Sequence, residues 1–95
     1  MNESNEAVLY YEDGSISYVL PANGTHFTIR ELQGMVNGRI RLVPFGERLL
    51  IGNENAKTDG CNLPNLAATV QWMKVYGSTD VLYGPVLISP SEFIT

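Results

Sequence analysis

A chain of 95 residues is long enough for one domain and too short for two, and 44% hydrophobic with 17% charged residues is a globular composition, not a disordered one. No apolar run approaches the ~20 residues that span a bilayer. A net charge of −4 argues against a general nucleic-acid binder, which needs a basic surface to neutralise phosphates.

The N-terminus MNESNEAV has no basic stretch followed by an apolar one, so no secretory signal is expected. Cys61, the only cysteine, fits a reducing cytoplasm. Residues 1–5 read as a disordered tail, followed by a single domain over 6–95. "AVLYY" and "ISYVLP" flank "EDGS", and Asp13-Gly14 predicts a hairpin with a two-residue type I′ turn. That turn would set Tyr11 opposite Ile16 and Leu9 opposite Tyr18, with Val8, Tyr10, Ser17 and Val19 on the other face. Both faces are then largely apolar. One is expected to be covered by a helix, and the other, with Tyr10, Val8 and Val19, to meet a partner or a second copy.

"TIRELQGMVNG" predicts a short helix. Thr28 and Glu31 have the spacing of a capping box, Ile29, Leu32 and Val36 fall on one side, and Asn37-Gly38 supplies a left-handed end. A second hairpin follows, "RIRLVP" and "ERLLIG", with Phe45-Gly46 as its turn. Ile40, Leu42, Leu49 and Ile51 would share a core face, and Arg41, Val43, Arg48 and Leu50 the other. Arg41 and Arg48, near each other in that register, have the charge to receive a phosphate or carboxylate. Arginine stems laid over apolar neighbours give a simpler account of both.

The stretch "NENAKTDGCNLPN", residues 53–65, has neither strand nor helix pattern and is long for a connection in a compact domain. Asn65 then caps "LAATVQWMKVYG", where Leu66, Val70 and Met73 form an apolar stripe widened by Trp72 and Tyr76. "DVLYGPVLISP" reads as two strand-like pieces broken at Gly84-Pro85. The predicted order is ββαββαββ: a small α+β domain with a mixed, mostly antiparallel sheet packed by two helices.

The chemical motifs are sparse. One histidine (His26) and one thiol do not make a common zinc set, and nothing in the sequence brings them together as a nucleophile pair. Asn53, Asn55 and Asp59 depart from the calcium-loop pattern at Lys57 and Gly60. Neither a Walker loop nor a dinucleotide fingerprint occurs. The polar loop remains, where Asn53, Glu54, Asn55, Lys57, Asn62, Asn65 and Thr69 offer donors and acceptors before the first turn of a helix. Such side chains also tie their own backbone into turns, which needs no ligand.

The succession "YYEDGSISYVLP", "LQGMVNGRIRLVP", "LLIGNENAKTDG", "LPNLAAT" and "LYGPVLI" resembles the family catalogued as domain of unknown function 3846, over about Leu9 to Ile88. Val36-Asn37-Gly38, Asn53-Glu54 and Asn65-Leu66-Ala67-Ala68-Thr69 resemble three of its recurring elements, with Asn37 where glycine is more usual. The resemblance implies an origin in phages, mobile elements or their bacterial hosts, and brings no biochemical activity. Two functions are therefore expected. The first is a non-enzymatic, cytoplasmic interaction protein acting on a host factor or on itself. The alternative is a binder of a small nucleotide-like or anionic ligand through the 53–65 loop, Arg41 and Arg48. No cofactor or metal is expected under either reading.

Overall fold

The computed structural model describes residues 6–55, 63–77 and 80–94. Five strands form one sheet: β1 (Ala7–Tyr10), β2 (Ile16–Val19), β3 (Ile40–Phe45), β4 (Arg48–Asn53) and β5 (Val86–Pro90), in the order β2-β1-β5-β4-β3 with every neighbouring pair antiparallel. Two helices, α1 (Ile29–Val36) and α2 (Leu66–Tyr76), complete an α+β domain, and a 3₁₀ turn, Ser91–Phe93, follows β5. Of the two expected C-terminal pieces only the second is a strand. The first makes a single bridge, Pro64 with Tyr83.

The sheet has a helix on each face. Ala7, Leu9, Ile51 and Leu87 point to one side, where Leu32 and Val36 of α1 and Phe27 close a core. Leu50, Val86, Ile88 and Phe45 point to the other, with Ala68 and Trp72 of α2. The central strand β5 alternates between the two cores, and all five of its residues are buried. This is why "VLISP" reads as a nearly continuous apolar run and not as an alternation.

The helix ends form as predicted. Thr28 accepts from the Glu31 amide, the Glu31 carboxylate accepts from the Thr28 amide, and Asn37 adopts the left-handed conformation at φ 64°. Ile29, expected on the inward face, is 58% exposed because that face runs through Leu32, Met35 and Val36. In α2 the departure is larger. The Leu66-Val70-Met73 stripe faces solvent, and the small residues Ala68 and Thr69 face inward with Trp72 between them. Small inward side chains let the helix lie close to the sheet, and Trp72 stacks on Tyr76 at 4.4 Å between centroids and beside Phe45 at 6.4 Å.

Both hairpin registers differ from expectation. Gly14 alone has positive φ, at 91°, and the Tyr11 amide donates to Ser15 O, which makes a three-residue loop, not a type I′ turn. Asp13 stays out of the left-handed region, and its carboxylate accepts from the amide and hydroxyl of Ser15. These hydrogen bonds hold the Asp13 carboxyl below its usual pKa. The extra residue places Leu9 opposite Ser17 and Tyr10 opposite Ile16, so every β2 side chain lies on the face opposite to the expected one. In the second hairpin the turn is Gly46-Glu47, with Gly46 at φ 65°. That displacement shifts the pairing by two and leaves the faces as expected, but Leu42, expected in the core, is 47% exposed because β3 is an edge strand.

Candidate functional site

The polar segment after β4 consists largely of structural contacts where it is described. Asn53, the last residue of β4, donates from Nδ2 to the carbonyls of Val36 and Asn37, each at 3.1 Å, while its Oδ1 accepts from the Asn55 amide at 2.7 Å. It satisfies carbonyls at the end of α1, which a helix C-terminus leaves without intrahelical donors. The Glu54 amide donates to Arg39 O at 2.8 Å and continues the tie. Gly38 fits beneath this arrangement, since a Cβ there would lie 2.8 Å from Asn53 Nδ2.

Asn65 is completely buried, and all its polar atoms have partners. Oδ1 accepts from the Ala68 amide at 3.0 Å, which is the cap expected from the sequence. Nδ2 donates to Tyr10 O at 2.9 Å and to Gly84 O at 2.7 Å, joining the start of α2 to β1 and to the approach to β5. The Thr69 hydroxyl donates to Asn65 O and accepts from the Leu82 amide. Asn53, Asn65 and Thr69 thus hold the fold together with the groups that were expected to meet a ligand. Lys57 and Asn62, together with Cys61 and the 1–5 tail, lie outside the described residues.

The register separates the two arginines. Arg41 pairs with Gly52 and Arg48 with Phe45, four positions apart along β3, or roughly 13 Å at ~3.3 Å per residue. The expected anion site between them is not formed. Arg48 reaches across β5, and its Nη2 donates to Glu6 O at 3.3 Å.

Arg41 lies instead in a cavity of about 220 Å³, bounded by the Asn53 end of β4, by α2 and by residues 80–83. Val43, Leu50, Val86 and the Trp72 indole give it apolar walls. Glu54 and Asp80 join Arg41 among its polar lining groups. Three expected site residues, Arg41, Asn53 and Glu54, therefore do meet here. Gly52 and Asp80 were not singled out in the sequence, and Trp72 was read only as part of the apolar face of α2. A glycine interrupting the apolar run "RLLIGN" was the available signal, since glycine inside a strand weakens it and marks close approach of another group.

The first hairpin presents the second candidate surface. Val8 and Tyr10 share the α2 side of the sheet with Tyr18 and Ile16, their direct partners across the ladder. Val19, expected beside them, packs into the α1-side core because of the shifted register. Tyr18 is 64% exposed, and Leu20, just beyond the strand, 69%. The Tyr10 phenol is raised above its ordinary pKa, chiefly by burial, with the nearby Arg48 charge opposing the shift and Tyr18 adding to it.

Among the described residues no three His, Cys, Asp or Glu side chains are grouped to hold a metal ion, and no helix is long and apolar enough to cross a membrane. His26 Nδ1 lies 3.1 Å from the neighbouring Thr25 hydroxyl. No family model, no curated protein and no solved structure matches the chain. The likeness to domain of unknown function 3846 therefore rests on its motifs alone.

Proposed function

We propose that this chain is a non-enzymatic binding module that engages another protein through the outer face and free edge of its first hairpin. The observation that carries this reading is the difference between the two edges of the sheet. Edge strand β3 contains Pro44, which has no N–H to offer, and the charged Arg41, both common protections against edge-to-edge pairing. Edge strand β2 and the residue after it, Ile16 to Leu20, contain neither charge nor proline. Ile16, Tyr18 and Leu20 are exposed along it.

An extended segment of a partner added beside β2 would pair with its free backbone groups, and Tyr18 and Ile16 would select the side chains opposite. The motif resemblance supports a phage or mobile-element origin and a host protein as the partner, and the lone cysteine supports a cytoplasmic setting. Tyr18→Lys places a charge on this edge without touching either core. Native mass spectrometry of the chain purified from its natural background should show a retained protein or a self-assembly that Tyr18→Lys loses and Leu42→Lys, on the opposite edge, keeps. Retention by Tyr18→Lys with loss in Leu42→Lys would refute the assignment.

A further inference from the structure

We infer that the cavity between β4 and α2 is a binding site for a small apolar zwitterion, of the size and chemistry of a free aliphatic or aromatic amino acid. The inference is independent of the first hairpin and rests on three properties of the cavity: its glycine, its charges and its volume.

Gly52 belongs to the β4 face that also carries Leu50, and it lines the cavity opposite Arg41. Its φ is not positive, and a Cβ built on it would meet nothing within 4 Å. Neither the backbone nor the packing requires glycine there, although glycine inside a strand costs roughly 0.5–1 kcal/mol relative to alanine. What its missing side chain preserves is the depth of the cavity.

The charged groups come in opposite signs. Among the described residues neither the Arg41 guanidinium nor the Glu54 carboxylate makes a hydrogen bond or ion pair, with each other or with any third group. Arg41 offers a forked donor to a carboxylate, and Glu54 offers an acceptor to an ammonium. Asp80, the other carboxylate of the lining, already has a partner within the chain, so Arg41 and Glu54 are the pair left to a ligand, and a ligand with only one charge leaves one of them to water alone. The apolar remainder would rest against Val43, Leu50, Val86 and the Trp72 indole.

The volume limits the rest. At about 220 Å³ the cavity lies below the range of about 300–1,000 Å³ that drug-sized ligands fill, which suits a ligand of roughly ten non-hydrogen atoms. Leucine, methionine and phenylalanine are of that size. A nucleotide has about twice as many atoms and calls for a pocket in the usual range of about 300–1,000 Å³. The nucleotide-like ligand expected from the sequence is therefore a poor fit.

The test is a calorimetric and thermal-unfolding titration of the full chain with leucine and phenylalanine, beside 3-phenylpropanoate and phenethylamine, which each lack one charge. The amino acids should bind and raise the melting temperature, with the single-charge analogues at least about ten-fold weaker. Gly52→Val should intrude on the cavity and weaken binding at least about ten-fold with little change in melting temperature. Arg41→Gln, on an exposed side chain that leaves the fold intact, should bring phenylalanine down to the affinity of phenethylamine. Equal binding by phenylalanine and phenethylamine in the natural chain, an unaltered response in both variants, or no binding of either amino acid would each overturn the inference.

Discussion

Replacing Asn65 by alanine should remove far more stability than the loss of a helix cap. An N-cap asparagine contributes about 1 kcal/mol, but the Asn65 amide also donates to Gly84 O in a buried bond and to Tyr10 O in a partly buried one. A buried acceptor left without a donor costs about 1–3 kcal/mol, and the half-buried one about 1 kcal/mol. The sum is about 3–5 kcal/mol. Domains of this size have roughly 5–14 kcal/mol in total, and at ~4–8 °C per kcal/mol the melting temperature should fall by roughly 12–40 °C. Urea unfolding followed by Trp72 fluorescence and circular dichroism measures this directly, with Thr28→Ala as the control for a cap alone, expected at about 1 kcal/mol. Asn65→Ser restores the cap acceptor but neither long-range bond, so it should recover only about 1 kcal/mol. Asn65→Asp should be destabilised most at neutral pH, where a carboxylate faces two carbonyls, and less, relative to the natural chain, as acid protonates it. A loss below about 1 kcal/mol in Asn65→Ala would show that the two carbonyls find other donors and would refute the reasoning.

Gly38→Ala should be destabilising because its Cβ meets Asn53 Nδ2, and adding Asn53→Ala should make the pair less than additive in a double-mutant cycle. The Glu31 carboxyl lies below its usual pKa, first because of the Thr28 amide and then the Ala22 amide. Its contribution is therefore complete above the unfolded carboxylate pKa and disappears as the pH falls through the lower folded value, and Glu31→Gln should flatten that part of the acid unfolding curve. Tyr10 has the opposite sign. With its folded pKa raised, its contribution is present below the unfolded value near 10 and is lost as the pH rises through the folded one. Tyr10→Phe should remove that alkaline loss, and ultraviolet titration should show one late-ionising phenol fewer.

Local chemistry was legible in the sequence wherever its partners are near in the chain. Thr28 with Glu31, Asn37 at the end of α1 and the cap at Asn65 each depend on atoms within four residues, and all three formed as read. Asp13-Gly14 was ambiguous by one residue, because the dipeptide serves both a two-residue turn and a three-residue loop ending in glycine. That one residue carried Val19 into the core and brought Ile16 and Tyr18 out beside Tyr10. The error at Gly46 was harmless because it displaced the pairing by an even number. In α2 the apolar residues surround most of the circumference, so their spacing could not say that Ala68 and Thr69, not Leu66 and Met73, face the sheet. The second role of Asn65 joins atoms 55 and 19 residues away, and no local pattern reports it. The cavity is likewise a product of register: Arg41 finds Gly52 only once the hairpin has closed.

The position of β5 governs the order in which this chain can be completed. Each hairpin closes on itself, but within the sheet the two are joined only through residues 86–90, where Ile88 lies between Val8 and Leu50. Such distant pairing is slow compared with hairpin closure. On a translating ribosome, β1 and β4 therefore emerge well before the strand that will separate them, each with an apolar inner edge exposed to pairing with a neighbouring chain. A stalled ribosome or a proteolytic cut ahead of Val86 would leave two unjoined hairpins and no smaller version of the fold.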